Sequence, residues 1–180
     1  MKMKINETIE IPSGVVCEYK DGFLKGSIGQ KTISKKIDMP NVEVVVKSNQ
    51  ISLSCDKTTK REFKKIRTFG VHVNNIFKGL EGDFVYKLES ANVHFPMTFK
   101  LEGQKLVINN FLGEKVPRMA KIMPNVEVVV KGNQITISSP NKEAAGQTAA
   151  NFEKATLIRK RDRRIFQDGI YIVEKPGGKS

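Results

Sequence analysis

An α+β fold made twice is what this sequence predicts: two tandem, duplicated domains, each an antiparallel β-sheet packed against one α-helix. Three observations carry the expectation. The string MPNVEVVVKSNQISL at residues 39–53 returns 84 residues later as MPNVEVVVKGNQITI, residues 123–137, differing only at Ser48/Gly132, Ser52/Thr136 and Leu53/Ile137. Each copy places a turn cluster between two β-rich runs, which reads as a hairpin. Each copy is followed by a stretch whose apolar residues recur at helical spacing.

Taken in chain order, the first half offers strands at VVCEYK and GFLKG, split by a turn at Asp21-Gly22, before its copy of the hairpin. Residues 58–80 then place Phe63, Ile66, Gly70, Val73, Phe77 and Leu80 at steps of three and four, one apolar stripe of a helix. Lys60, Arg61, Lys64, Lys65 and Arg67 occupy the opposite arc, where a solvated charged face is the ordinary explanation. A junction near residues 80–90 leads into the second half, with strands at MTFKLEG and KLVINNF split at Gly103-Gln104. The repeat extends upstream here, since LGEK at 112–115 lies over IGQK at 28–31 at the same offset.

In the second hairpin Gly132-Asn133 supplies the positive φ angles of a tight turn, while the first relies on Ser48-Asn49. Ser139-Pro140 reads as an N-cap and first helical residue, followed by Ala145, Ala149, Phe152 and Thr156 on one face. This helix is poor in charge and rich in Ala and Gly, so a neighbour can approach it closely. The domains expected are 1–82 and 83–175, with a flexible tail at 176–180 broken by Pro176 and Gly177-Gly178.

Charge gives the first indication of function. Thirty-one Lys and Arg against nineteen Asp and Glu leave a formal net charge of +12, which points to a polyanionic partner or to a basic but otherwise ordinary soluble protein. With no apolar run of about 20 residues, no membrane span is expected, and the start, MKMKINETIEIP, lacks the apolar core of a secretory signal. A cytoplasmic compartment follows as the expectation. Cys17 and Cys55 are far from CxxC spacing and suit free buried thiols. The Asn6-Glu7-Thr8 sequon is read as a chance match.

The densest cationic feature is Arg159, Lys160, Arg161, Arg163 and Arg164, interrupted only by Asp162. Guanidinium groups grip phosphate oxygens in a fixed fork, so such a loop suits a phosphate backbone; an exposed charged loop is the alternative. Catalysis finds little support. His72 and His94 lie in different halves with no Cys or acidic residue at ligand spacing, so no metal or cofactor is expected. The segments GSIGQKT and GGKS fail as phosphate loops, and the GSIG stretch has β-like flanks where an RNA-binding KH module needs helices. Phe95, Phe99 and Phe111 fall in expected strands without an RNP-like string and are assigned to the core.

Several strings coincide with one family. HFPMTFKLEGQKLVINNFLGEKVPRMAKI at 94–122, SPNKEAAGQTAANFEKAT, and RDRRIFQDGIYIVEK closely resemble the archaeal and eukaryotic branch of the ribosomal large-subunit protein L-six family. The resemblance spans essentially the whole chain and is most specific in Arg164-x-Phe166-x-Asp168-Gly169-Ile170-Tyr171-Ile172-x-x-Lys175. One departure is Lys154, where the pattern begins with Gln.

The resemblance implies a non-enzymatic constituent of the large ribosomal subunit, cytoplasmic, with no small-molecule substrate. Its second domain would hold large-subunit rRNA near the sarcin-ricin loop and the translation-factor-binding region, beside other ribosomal proteins. Carried over position by position, the implied RNA contacts are Gly113, Lys115, Arg118, Gly146, Gln147, Asn151, Arg159, Lys160, Arg161, Arg163, Arg164 and Lys175. A general basic nucleic-acid-binding protein outside the ribosome is the alternative reading, and an enzyme acting on a phosphorylated substrate is a more distant one.

Overall fold

A computed structural model describes residues 3–29, 31–37, 42–47, 49–162 and 164–177. The chain divides into two compact units, Met1–Gly82 and Asp83–Ser180. Each unit has its own buried core.

In the first unit, β1 (Met3–Glu10), β5 (Glu43–Lys47) and β6 (Gln50–Thr58) form one antiparallel sheet in the order β1-β6-β5. The strands β2 (Val16–Lys20), β3 (Phe23–Ile28) and β4 (Lys31–Lys36) form a second as a meander. Asp21 and Gly22 take φ of +51° and +75° between β2 and β3, the paired positive angles of a type I′ hairpin turn. Helix α1 (Lys60–Glu81) starts at a capping box in which the Thr59 amide donates to Glu62 Oε2 at 2.8 Å. The turn expected at Ser48-Asn49 lies partly outside the described residues, which exclude Ser48.

The buried stripe of α1 is Ile66, Phe69, Val73, Ile76, Phe77 and Leu80. This corrects the expected stripe, because Phe63 is 41% exposed, with Arg67 lying over its ring at 5.3 Å, and Phe69 replaces Gly70. Two stripes one residue apart share Ile66, Val73, Phe77 and Leu80, so spacing alone does not separate them. Lys60, Arg61, Lys64 and Arg67 are exposed, and Arg67 Nε lies 3.5 Å from Glu7.

In the second unit, β7 (Phe84–Ala91), β11 (Glu127–Lys131), β12 (Gln134–Ser139) and β13 (Gly169–Glu174) form a sheet in the order β11-β12-β7-β13. The strands β8 (Thr98–Glu102), β9 (Lys105–Asn109) and β10 (Arg118–Lys121) form the other sheet. The antiparallel strands of each half are thus divided between two sheets, with one helix packed on them. Helix α2 (Lys142–Ala155) buries Ala145, Thr148, Ala149 and Phe152, as its small-residue face predicts. Its N-cap is Asn141, whose Oδ1 accepts from the Glu143 amide at 3.0 Å. That corrects the expected Ser139-Pro140 cap: Ser139 ends β12, where its hydroxyl donates to Asn125 O at 2.7 Å.

The duplicated hairpins share one register. Glu43 faces Ser54 and Lys47 faces Gln50; 84 residues on, Glu127 faces Ser138 and Lys131 faces Gln134. Both β5 and β11 turn their first, third and fifth residues to solvent, the alternation that a half-buried strand requires. Each helix is let close to its sheet by a glycine, on opposite partners. A Cβ on Gly26 of β3 would meet Ile76 Cγ2 of α1 at 2.8 Å, whereas a Cβ on Gly146 of α2 would meet the Tyr86 hydroxyl of β7 at 2.9 Å.

Both cysteines are free, Cys55 buried and Cys17 partly so; burial raises the Cys17 thiol pKa.

Candidate nucleic-acid interface

The two halves differ most where the second carries its extra chain. In the first unit β3 and β4 pair as far as Ile28 with Lys31, while in the second the pairing of β9 with β10 stops at Ile108 with Arg118 and the connection between the strands spans residues 110–117. Asn110, Leu112 and Gly113 all take positive φ there, at +59°, +51° and +78°. This loop exposes Gly113 and Lys115. After α2 comes a second added segment, residues 157–168, before β13 returns along β7.

Arg118 ties the two additions together. Its Nε and Nη2 donate to the Glu114 carboxylate at 2.7 and 2.6 Å, and Nη1 donates to Ala155 O at 2.8 Å, at the end of α2. Its guanidinium lies 4.2 Å from the centroid of the buried Phe111 ring. The Arg118 hydrogen bonds hold the Glu114 carboxyl below the ordinary range against a smaller opposing effect of burial, and nearby Arg161 adds to the lowering. Between these walls lies a cleft of about 430 Å³, lined by Leu112, Glu114, Arg118, Met119, Lys154, Leu157, Ile158, Arg159 and Arg161 among others.

A clasp holds the far end of the basic segment. Asp168, 1% exposed, accepts from the Val93 and His94 amides at 3.0 and 2.9 Å through Oδ1, and its Oδ2 lies 2.6 Å from His94 Nδ1. Burial pushes the Asp168 carboxyl pKa up, but the His94 amide and ring together outweigh it and leave the group below its ordinary value. The His94 ring stacks on Phe166 at 5.0 Å, and the Arg161 guanidinium lies 4.8 Å from the Phe166 centroid. Asp162 forms an Asx turn, its Oδ1 accepting from the Arg164 amide at 2.9 Å. Lys160 takes φ of +59°. Arg159, Lys160, Arg161 and Arg164 are all exposed.

Of the other residues singled out from sequence, Gln147 and Asn151 belong to a polar row along α2. Gln147 Nε2 donates to Asn151 Oδ1 at 2.9 Å and Asn151 Nδ2 to Lys121 O at 2.9 Å. One turn further along the same face, by helical spacing, is Lys154 at the cleft. Gly146 packs against Tyr86 instead, and Arg118 is engaged within the fold. Lys175 is exposed just past β13. Arg163 lies outside the described residues, as does the end of the tail beyond Gly177.

Sequence reasoning missed the clasp and misassigned one aromatic ring. Phe111 is buried and Phe99 partly so, but Phe95 is 45% exposed and sits in the loop before β8. Its ring covers Gly113, 3.5 Å from where a Cβ would stand. The proline at 96 was the available signal, since it breaks a strand ladder at that point. Among the described residues no helix is long and apolar enough to cross a membrane, and no group of three or more His, Cys, Asp or Glu could hold a metal ion.

The family model for Ribosomal protein L6 matches residues 95–169, a span that contains the cleft, both added segments and Asp168 of the clasp, and begins one residue after His94. The chain is 41% identical over 173 residues to the large ribosomal subunit protein uL6 of Methanococcus vannielii, covering 96% of this chain and 95% of that protein. It is 41% identical over 175 residues to the uL6 protein of Methanosarcina mazei, with 97% and 99% coverage. It is 42% identical over 173 residues to that of Methanobrevibacter smithii, with 95% and 96% coverage.

Proposed function

The chain belongs to the ribosomal protein L6 family, and from that premise we propose that it is a structural, non-enzymatic protein of the large ribosomal subunit whose second unit binds large-subunit rRNA. The observation that carries the assignment of the binding surface is the meeting of the two added segments. Loop 110–117 and segment 157–168 converge on one cleft with Lys154, Arg159 and Arg161 in its lining, while the one carboxylate there, Glu114, is already bound by Arg118. The net charge of the surface presented to a partner is therefore positive. Contact is chiefly to phosphate and sugar, with the exposed lysines and arginines of the first unit adding peripheral attraction.

Within the subunit, the proposed place is near the sarcin-ricin loop and the translation-factor-binding region, among neighbouring ribosomal proteins and in the cytoplasm. Family resemblance supports that placement.

The test is replacement of Arg159, Lys160, Arg161, Arg163 and Arg164 together by Ala in the full chain. Binding to large-subunit rRNA should weaken, and the slope of log affinity against log salt should flatten by roughly 4 to 5 if all five neutralise phosphates. Undiminished binding at moderate salt refutes the surface. Co-sedimentation with large subunits after a high-salt wash separates a ribosomal constituent from a general nucleic-acid-binding protein.

A further inference from the structure

The cleft beside Arg118 has features that a surface meant only for backbone phosphates does not need. Its volume of about 430 Å³ lies toward the small end of the range for small-molecule sites, about 300–1,000 Å³. That is room for one nucleotide. Apolar side chains form a substantial minority of its lining: Leu112 and Met119 on one side, Leu157 and Ile158 on the other. Met119 is 63% exposed and Leu157 42%, so two apolar side chains stand open beside the most cationic segment of the chain.

Arg118 is the third feature. Its charge is matched by Glu114 and its position is fixed by the Ala155 carbonyl, yet its side chain remains 29% exposed. One face of the guanidinium is covered by Phe111. A flat, rigid guanidinium whose hydrogen bonds are already taken is a platform for a planar ring rather than a phosphate hook. The free cations are elsewhere in the lining, on Lys154, Arg159 and Arg161.

Building on the rRNA-binding reading, we propose that this cleft takes one unpaired nucleotide of the RNA. Its base lies on Arg118 among Leu112, Met119, Leu157 and Ile158, and its phosphate is held by Lys154, Arg159 and Arg161. The cleft thus selects a splayed-out base, whereas the rest of the surface reads only the backbone.

The test uses the full chain with Met119→Thr and Leu157→Thr, which removes both open apolar walls and leaves every charge in place. The melting temperature should stay close to that of the parent because both residues are substantially exposed. Affinity for large-subunit rRNA should fall about five- to tenfold, as expected for loss of part of a base stack, with the salt slope unchanged. Base-specific chemical probing should show an unpaired rRNA position protected by the parent protein and reopened by the double variant.

Equal affinity and an identical footprint overturn the proposal while leaving the rRNA-binding reading intact. Failure of the parent itself to bind rRNA sinks that reading instead. A parallel titration with 5′-AMP, followed by amide shifts at residues 112–119 and 154–161, separates RNA from a free nucleotide. Saturable AMP binding lost in the double variant, with rRNA binding unaffected, overturns the proposal in favour of a mononucleotide site.

Discussion

Replacing Asp168 tests whether the basic segment is positioned by the clasp or merely drapes over the sheet. The carboxylate is buried and accepts from two backbone amides and the His94 ring at 2.6 to 3.0 Å. In Asp168→Asn an amide oxygen can still serve the Val93 and His94 amides, but the charge facing His94 is lost. Hydrogen bonds to a charged group are worth about 1.5–3 kcal/mol, and that is the expected cost. Asp168→Ala removes the acceptor for all three and leaves the Val93 and His94 amides without it, at about 2–4 kcal/mol, the usual cost of stranding backbone donors. Hydrogen exchange of the full chain reads the two units separately: protection should fall at Leu106, Ile108, Ile135 and Ile137 and stay unchanged at Leu24, Ile51 and Leu53. A loss under about 1 kcal/mol for Asp168→Ala, or an equal loss in both units, refutes the clasp. The pH dependence has a fixed sign. The folded carboxyl titrates below its unfolded value of about 3.9, so its contribution is complete above that value and disappears as pH falls through the folded one. The stability gap between the parent and Asp168→Asn should therefore narrow below about pH 4.

The two close-packed glycines give a paired test of the duplicated architecture. Gly146→Ala gains about 1 kcal/mol of helix propensity but drives a Cβ to 2.9 Å from the Tyr86 hydroxyl; a net loss of about 1 kcal/mol is expected in denaturant unfolding, recovered by adding Tyr86→Phe. Gly26→Ala meets Ile76 and Leu80 at 2.8 and 3.2 Å and should cost about 1–3 kcal/mol, seen as reduced protection in the first unit only and with rRNA affinity unchanged. The five-residue charge removal and the Met119→Thr/Leu157→Thr variant should part company: the first flattens the salt dependence, and the second lowers affinity at constant slope.

Local pattern made the hairpins legible because strand, turn and strand are contiguous. The β5–β6 and β11–β12 pairs recur in the same register 84 residues apart, as the repeated string requires. The partition of strands into two sheets per unit was not legible, and neither was β1 or β13 as a strand. Those depend on pairings between distant residues, such as Ile9 with Ile51 and Ile170 with Ser90. The α1 stripe was misplaced because two apolar stripes share most of their members. In the site, the cationic string was obvious from composition, but the clasp joins residues 74 apart and left no local signature. Charge also says nothing about which arginine is free. Arg118 and Arg161 look alike in the sequence, and only the contacts separate a guanidinium locked between Glu114 and Ala155 from one exposed over Phe166.

The repeated MPNVEVVVK string thus reports architecture, and the proposed binding surface lies at the places where the copies diverge. Among the described residues, the sheet β1-β6-β5 has three strands, whereas its counterpart gains β13 along the outer edge of β7. Adding that strand has two physical effects at once. It pairs an edge of β7 that would otherwise present unpaired backbone groups, and it anchors the far end of residues 157–168, through Ile170 N donating to Thr156 Oγ1 at 2.9 Å and through Asp168 gripping the loop before β8. A cationic segment fastened at both ends loses less conformational entropy on binding than a free basic tail of the same composition. If that pre-organisation matters, Asp168→Asn should weaken rRNA binding mainly through faster dissociation, with all arginines still present and the salt slope retained. An unchanged dissociation rate would mean that the cations act as a diffuse charge and that their fixed placement contributes nothing to binding.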